Sequence, residues 1–512
     1  MKNKIFLILA FGIFFGFGIW GLGFGLVGCG HPLKQVNLNA PLINSVYPST
    51  GASGIDLSSV VSATFDKSMD ASSLNTATFT LTSATGAISG SVTYNANSYT
   101  ATFGPLSNLS SNTKYTATIS DQVKESGGNR LEYPYSWSFT TGTLAPAVGS
   151  LDATFNNSGL AAASVSSDGK QIKIDKNGKI LVCGSARGFA ALWRYLSDGT
   201  PDNTFGTSGT VTNDAIISRA IDLDPQGNII FAAEGYWPNG HGLRLYKYDE
   251  NGNIVSGFGS TEVFDLVPMS IAVDAAGNIY VAGYYDNLVT FQESARIWKF
   301  KPDGSVDGSF GDGTHSGFVQ VTKGNQPAAG YKVLIDGNGK IVLFGSAVWR
   351  FDQNGNPDNS FGTNGIAANG VLLVYAAALD GAGNIYVAGL GNMGAGIAKY
   401  NSSGSLLLEK EAGVNPNYFD ILIDPFGNIL LAGSNTNQYS GQDMTIWRYD
   451  SSLNLDSSFG NNGMVSYGSA DDNKFSANSL AVDSLGRILA TGKTVSGSGF
   501  LSSDRMGIWR YK

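Results

Sequence analysis

One tight turn, repeated, constrains this chain more than any other feature. Asp175-x-x-Gly178 returns at Asp224/Gly227, Asp274/Gly277, Asp336/Gly339, Asp380/Gly383, Asp424/Gly427 and Asp483/Gly486, at intervals of 44 to 62 residues. Each copy follows a short apolar run such as Ile172-Lys173-Ile174 and leads into a second, such as Ile279-Tyr280-Val281-Ala282-Gly283. A third segment sets a cation between aromatics, as in Leu192-Trp193-Arg194-Tyr195, Ile446-Trp447-Arg448-Tyr449 and Ile508-Trp509-Arg510-Tyr511. A second turn then opens a fourth strand, as in Asp202-Asn203-Thr204-Phe205-Gly206 and Asp456-Ser457-Ser458-Phe459-Gly460. Four strands per repeat, lettered a to d, make a propeller blade, and the interval suits one.

The two ends of the repeat region predict how the ring closes. The sequence stops at Lys512, just after the seventh c strand, with no d strand to follow. The region opens on Leu151-Asp152-Ala153-Thr154-Phe155, a d-type element with no a, b or c before it. A seven-bladed propeller over 151–512, its last blade completed by the amino-terminal strand, accounts for both. Blades two and five lack the Leu-Asp-x-Ser-Phe-Gly element, so irregular outer strands are expected there. These repeats resemble the delta-sixty repeat family of bacterial propellers and, more loosely, the NHL type.

Upstream, residues 42–142 carry short alternating segments, among them 60–65, 79–83, 90–95 and 135–142, separated by turn residues. Such a pattern predicts an antiparallel sandwich of about a hundred residues. Phe65-Asp66-Lys67-Ser68-Met69-Asp70, Asn112-Thr113-Lys114-Tyr115-Thr116 and Trp137-Ser138-Phe139-Thr140-Thr141-Gly142 resemble, in that order, a bacterial Ig-like domain of surface and S-layer proteins. The resemblance implies a spacer or adhesive module, read here as a stalk. Asp66 and Asp70 are read as turn-stabilising carboxylates, with a cation contact as the alternative. Residues 143–150 read as a linker. The fold class is thus all-β, an Ig-like sandwich followed by a propeller.

The amino terminus is of another kind. Lys2 and Lys4 precede an uncharged apolar run from Ile5 to Gly28, the order of a secretory signal. Leu26-Val27-Gly28-Cys29 resembles a bacterial lipobox. The resemblance implies a signal peptide over 1–28, lipid attachment at Cys29 and a tether over 29–41; acyl chains at about 0.8 kcal/mol per buried CH₂ would anchor the protein to a membrane. An uncleaved transmembrane anchor is the alternative, since the run is long enough to span. Gly30, in place of the Asp that retains many enterobacterial lipoproteins at the inner membrane, implies the outer membrane, facing the periplasm or the cell surface.

The repeat chemistry reads first as structure. Asp at the head of a turn bonds its own backbone and Gly takes positive φ. One carboxylate per turn is a poor cage for calcium, which wants six to eight oxygens. Trp and Tyr two apart share a strand face and pack on the neighbouring blade, while the cation between them points away, towards d-strand carboxylates or water.

Strand alternation puts a–b and c–d turns on one rim and b–c and d–a loops on the other. Insertions fall on the second rim: Glu234–Leu243, Tyr284–Arg296, Ser434–Thr445, Lys493–Met506, and the d–a segments Val319–Tyr331 and Tyr467–Asn478. Variable loops on a rigid scaffold commonly carry recognition. The candidate ligand-binding residues there are Tyr236, Trp237, His241, Tyr284, Tyr285, Asp286, Tyr439, Asp443 and Phe500, suited to a glycan or protein ligand; the alternative is that they cap the blade ends.

Catalysis has little support. Three histidines, His31, His241 and His315, make no metal cluster, and no nucleophile-elbow, zincin or phosphate-loop motif occurs. Neither metal nor cofactor is expected. The acidic pair Asp471 and Asp472 leaves a polysaccharide-acting glycosidase or lyase as the minor alternative, beside a structural envelope component. Cys183 reads as a small buried side chain. A net charge of −8 argues against nucleic acid.

Overall fold

The computed structural model describes residues 39–143, 148–237, 240–259, 261–264, 266–287, 292–322, 328–367, 373–391, 394–411, 417–436, 442–468, 475–496 and 503–512. The segments expected to be signal peptide and tether lie outside them up to residue 38, Cys29 included, as do 144–147 of the expected linker. Residue 150 already pairs with the carboxyl end, Ser150 and Lys512 exchanging backbone hydrogen bonds at 3.0 and 2.8 Å.

The first module is a sandwich of two four-stranded antiparallel sheets. Ile43–Tyr47, Val61–Phe65, Thr100–Pro105 and Gly90–Asn95 form one; Gly86–Ala87, Phe79–Ser83, Lys114–Ile119 and Tyr135–Thr140 form the other. Alternation delivers Val61, Ala63 and Phe65 to the core, where Phe79, Phe103, Trp137 and Phe139 meet them. Asp70 is a turn carboxylate, accepting from the amide and hydroxyl of Ser72, whereas Asp66 accepts from the distant Leu42 amide and so ties down the start of the module instead of its own turn.

Seven sheets follow among the described residues, each in the order a-b-c, six of them with an outer strand d. The a strands of successive blades touch all the way round, from Ser167–Ile174 in blade one to Ser476–Val482 in blade seven and back. They are therefore the innermost strands. The outer strand of blade seven is Leu160–Ala162, paired with Trp509, Ile508 and Gly507, so the amino-terminal strand closes the ring as the sequence predicted.

Blade two departs from expectation and blade five meets it. The outer strand Thr261–Phe264 pairs in even register, whereas the pairing of Leu406–Glu411 slips between Lys399 and Tyr400; blade four shows three strands among the described residues. The Leu-Asp-x-Ser-Phe-Gly element precedes the d strand and makes a clamp. Arg194, Arg350, Arg448 and Arg510 bond Asp202, Asp358, Asp456 and Asp152 at 2.8 to 2.9 Å. The same guanidiniums lie over Phe205, Phe361, Phe459 and Phe155, 4.5 to 4.7 Å from the ring centres. Arg350 also donates to the Ser402 carbonyl of the next blade at 2.6 Å. Meanwhile the Trp and Tyr of the c strand face the preceding blade: Trp447 and Tyr449 pack with Ala376, Tyr386 and Ile397.

The Asp-x-x-Gly turns are built as read. Asp175 Oδ1 accepts from the amides of Asn177 and Lys179 at 2.8 and 2.9 Å, and Gly178 sits at φ +74. Among the described residues no group of three or more His, Cys, Asp or Glu could hold a metal. Cys183 is fully buried in a cluster with Phe205 and Phe231, and burial pushes its thiol up to about 12.

The Ig-like module is docked on the rim of Asp-x-x-Gly and c–d turns. Asp56 accepts from Ser484 Oγ at 2.7 Å and faces Arg487 at 3.5 Å; the Leu57 amide donates to Ser484 Oγ at 2.9 Å. Tyr47 meets Ser197 at 2.5 Å, and Asn95 donates to Asn251 at 3.3 Å. Arg487 lies 3.8 Å from Asp152, so this contact reaches the ring-closing clamp.

Candidate ligand-binding site

The a and b strands pair by ordinary antiparallel register, yet every blade slips once, at one place. The shift lies between Gly169 and Gln171, Ser218 and Ala220, Pro268 and Ser270, and Gly330 and Lys332 in the first four blades. It recurs between Val374 and Ala376, Tyr418 and Asp420, and Ala477 and Ser479 in the last three. A β-bulge leaves one residue unpaired and re-aims its side chain. The bulged residues are Lys170, Arg219, Met269 and Tyr331, then Tyr375, Phe419 and Asn478, and all seven line one cavity of about 520 Å³. Because one comes from each innermost strand, the cavity lies on the propeller axis. It opens at the b–c and d–a end, away from the rim that carries the Ig-like module.

In three blades the residue after the bulge secures the wall. An innermost strand has an edge with unpaired amides, a group that must find an acceptor. Gln171 accepts from Ile221 N at 2.8 Å, Ser270 from Val333 N at 3.2 Å and Asp420 from Leu480 N at 3.0 Å. Each bond runs to the following blade and ties the two blades together at the floor of the cavity.

The cavity has two unlike walls. Blades seven, one and two supply Asn478, Lys170 and Arg219, with Gln171 and Ser479 beneath. Asn478 donates to the Gly169 carbonyl at 2.6 Å, and Lys170 pairs with Asp168 at 2.6 Å. Arg219 pairs with Glu234 at 2.8 Å, and Glu234 in turn meets His241 Nδ1 at 2.6 Å. Blades three to six supply Met269, Tyr331, Tyr375 and Phe419, with Leu390 beside them. The Tyr331 and Tyr375 rings stand 5.2 Å apart at 59°, and burial raises the Tyr375 hydroxyl above its ordinary pKa. Phe419 and Leu390, each 44% exposed, hold apolar surface open to solvent. Lys332 of blade four reaches past blade five to Asp420 of blade six at 3.3 Å.

The residues singled out from sequence occupy the hairpins above this cavity. The insertions are longer β-ribbons, not open loops: Ile229–Trp237 pairs with Gly240–Tyr248, and Ile279–Asn287 with Gln292–Phe300. Tyr236 stands opposite His241 and Trp237 opposite Gly240. His241, half exposed, is the one the described contacts tie to the cavity, through Glu234 and Arg219. Tyr284 pairs with Ala295 and Asp286 with Glu293, while Tyr285 packs under Arg296 at 3.9 Å. Asp443 stands opposite Asn435 in blade six. The side chains of Tyr236, Trp237 and Asp286 lie outside the described residues, as do Tyr439, Phe500, Asp471 and Asp472 altogether.

The bulged residues escaped the sequence reading, although a signal existed. Each lies five positions before the Asp of its Asp-x-x-Gly turn, where the seven copies read Lys, Arg, Met, Tyr, Tyr, Phe and Asn. A position fixed in space and free in chemistry is what a ligand-facing residue looks like in a repeat.

Comparison with known proteins agrees with this architecture. Residues 38–141 match the bacterial Ig-like domain family. Residues 176–205 and 277–310 match a family described as a domain of unknown function (DUF5122) beta-propeller. No curated protein matches the chain in sequence. Among solved structures, a streptogramin B lyase is 12% identical, with a TM-score of 0.44 over 69% of this chain and 97% of its own. The virginiamycin B lyase from Staphylococcus aureus is 10% identical, with a TM-score of 0.41 over 68% of this chain and 98% of its own. A protein of unknown function from Dyadobacter fermentans DSM 18053 is 11% identical, with a TM-score of 0.37 over 69% and 98%. At these values the likenesses carry nothing about activity. An Ig-like domain joined to a β-propeller is the coarse class of a surface or binding protein.

Proposed function

We propose that this protein is a cell-envelope lipoprotein, anchored through Cys29 at the outer membrane, whose propeller binds a glycan or macromolecule at the b–c and d–a rim. One observation carries the reading. The repeat keeps its turn Asp and Gly in all seven blades, but varies the position that seven bulges turn into the axial cavity. Scaffold chemistry is constant and cavity chemistry is not, which is the division expected of a recognition module. The docked Ig-like module occupies the opposite rim, leaving the cavity mouth free of it. Its role is a platform beneath the propeller, a stiffer version of the stalk suggested by sequence.

The test is an array of glycans and extracellular-matrix proteins, probed with the unlipidated ectodomain from residue 34 onward. A version with the blade three and blade seven hairpins trimmed is run beside it. Binding by the intact form alone supports recognition through this rim. Silence from both, with stable co-purifying envelope partners, would instead favour a structural component. For the anchor, Cys29→Ser is expected to leave an unprocessed precursor in cells; normal processing would sink that part.

A further inference from the structure

We propose that the axial cavity is a saccharide site, selective for neutral sugars over acidic ones; this rests on the recognition reading above and names its ligand. The cavity volume of about 520 Å³ lies within the range of small-molecule sites and suits the end of a glycan better than a protein surface. Its walls match the two faces of a sugar ring. Tyr331, Tyr375 and Phe419 offer apolar planes to the C–H face, while Lys170 and Arg219 offer donors to the hydroxyl edge.

Charge decides the kind of sugar. Lys170, Arg219 and Lys332 are each matched by a carboxylate, Asp168, Glu234 and Asp420, at 2.6 to 3.3 Å. An anionic ligand would have to displace one of these carboxylates or share its cation with it. A hydroxyl does neither, because it accepts from the cation and donates to the carboxylate in one contact. The Lys332–Asp420 pair is the widest of the three and joins blade four to blade six, so a sugar hydroxyl inserts there with least loss.

The experiment is isothermal titration calorimetry on the unlipidated ectodomain. The probes are β-1,4- and α-1,4-linked glucose oligomers, N-acetylglucosamine oligomers and, as the acidic arm, galacturonate oligomers. A neutral series is expected to bind, with little change in Kd between low and high salt. Tyr375→Ala and Phe419→Ala are each expected to weaken it about tenfold or more, with unchanged melting temperatures showing the fold intact. Tighter, salt-sensitive binding of galacturonate overturns the neutral selectivity. Binding that ignores both aromatic substitutions but vanishes on hairpin trimming overturns the axial site and leaves the rim reading standing. Bulge-dependent binding of a matrix protein overturns the saccharide class alone. No binding by any saccharide or array protein overturns this proposal and the recognition reading together.

Discussion

Replacing Asp152 by Ala removes the acid of the clamp that closes the ring. Asp152 and Arg510 side chains are each only 3% exposed and bond at 2.9 Å, and Asp152 also holds Thr154 through its amide at 3.1 Å and hydroxyl at 2.7 Å. The deletion leaves Arg510 buried without its carboxylate, with Arg487 nearby. Breaking one partner of a buried pair costs about 3–5 kcal/mol. With an unfolding entropy of about 2.1 cal/mol/K per residue, a propeller of roughly 360 residues shifts by about 1.3 °C per kcal/mol, so Tm falls by about 4–7 °C. Scanning calorimetry of the ectodomain reads this directly. Asp456→Ala breaks the equivalent clamp in blade six, but Asp456 is a quarter exposed, so water compensates and the loss is smaller. Asp152→Ala combined with Arg510→Met is expected to recover most of the loss, because no orphaned charge remains. A melting temperature within about a degree of the parent for Asp152→Ala would refute the clamp as the closing bond.

Three further outcomes follow from the same geometry. Burial raises the carboxyls of Asp152, Asp202 and Asp358, but their facing cations and the hydroxyl and amide donors outweigh it, so all three sit below the ordinary range. Depressed acids stabilise the fold fully above their unfolded pKa of about 3.9, and that stability is lost as the pH falls through the folded values. Asp175 and Asp483, raised by burial, act in the opposite sense but are fewer; Tm is therefore expected to hold from neutral to mildly acid pH and to drop below about pH 4, and a rise there would contradict the sign. Cys183 is expected to resist thiol reagents in the native protein and to react on denaturation; rapid native labelling would contradict its burial. Asp56→Ala is expected to undock the Ig-like module, splitting one calorimetric transition into two, since it cuts the bonds to Ser484 and Arg487. An unchanged single transition would show that the contact does not couple the modules.

How much of this was legible in the sequence depends on the physics behind each feature. Blade number and ring closure were readable because Asp-x-x-Gly turns need an acceptor and a positive φ at fixed spacing, which leaves an invariant trace. The cation between Trp and Tyr was readable too, since strand alternation forces it off the packed face. The outer strand of blade two was misjudged because the Asp-x-x-Phe-Gly element looks like part of the strand and is a clamp ahead of it, so a blade without the element still pairs evenly; in blade five the pairing does slip, between Lys399 and Tyr400. Hairpins read as loops because Gly, Ser and Asn dominate their tips, although backbone pairing continues to Tyr236 and His241. The bulges left only a positional signal, a variable residue five places before each turn Asp, since a slip in register depends on how seven inner strands fit one circumference. Docking by Asp56 was equally hidden, because a single loop carboxylate finds Ser484 only after both modules have folded.

The most direct test of the central claim is a crystal structure of the ectodomain grown with the best-binding neutral oligosaccharide. The account predicts a sugar on the propeller axis, one ring face against Tyr375 and Phe419 and a hydroxyl between Lys332 and Asp420. A sugar held by the hairpins with the axial cavity filled by water alone would contradict it.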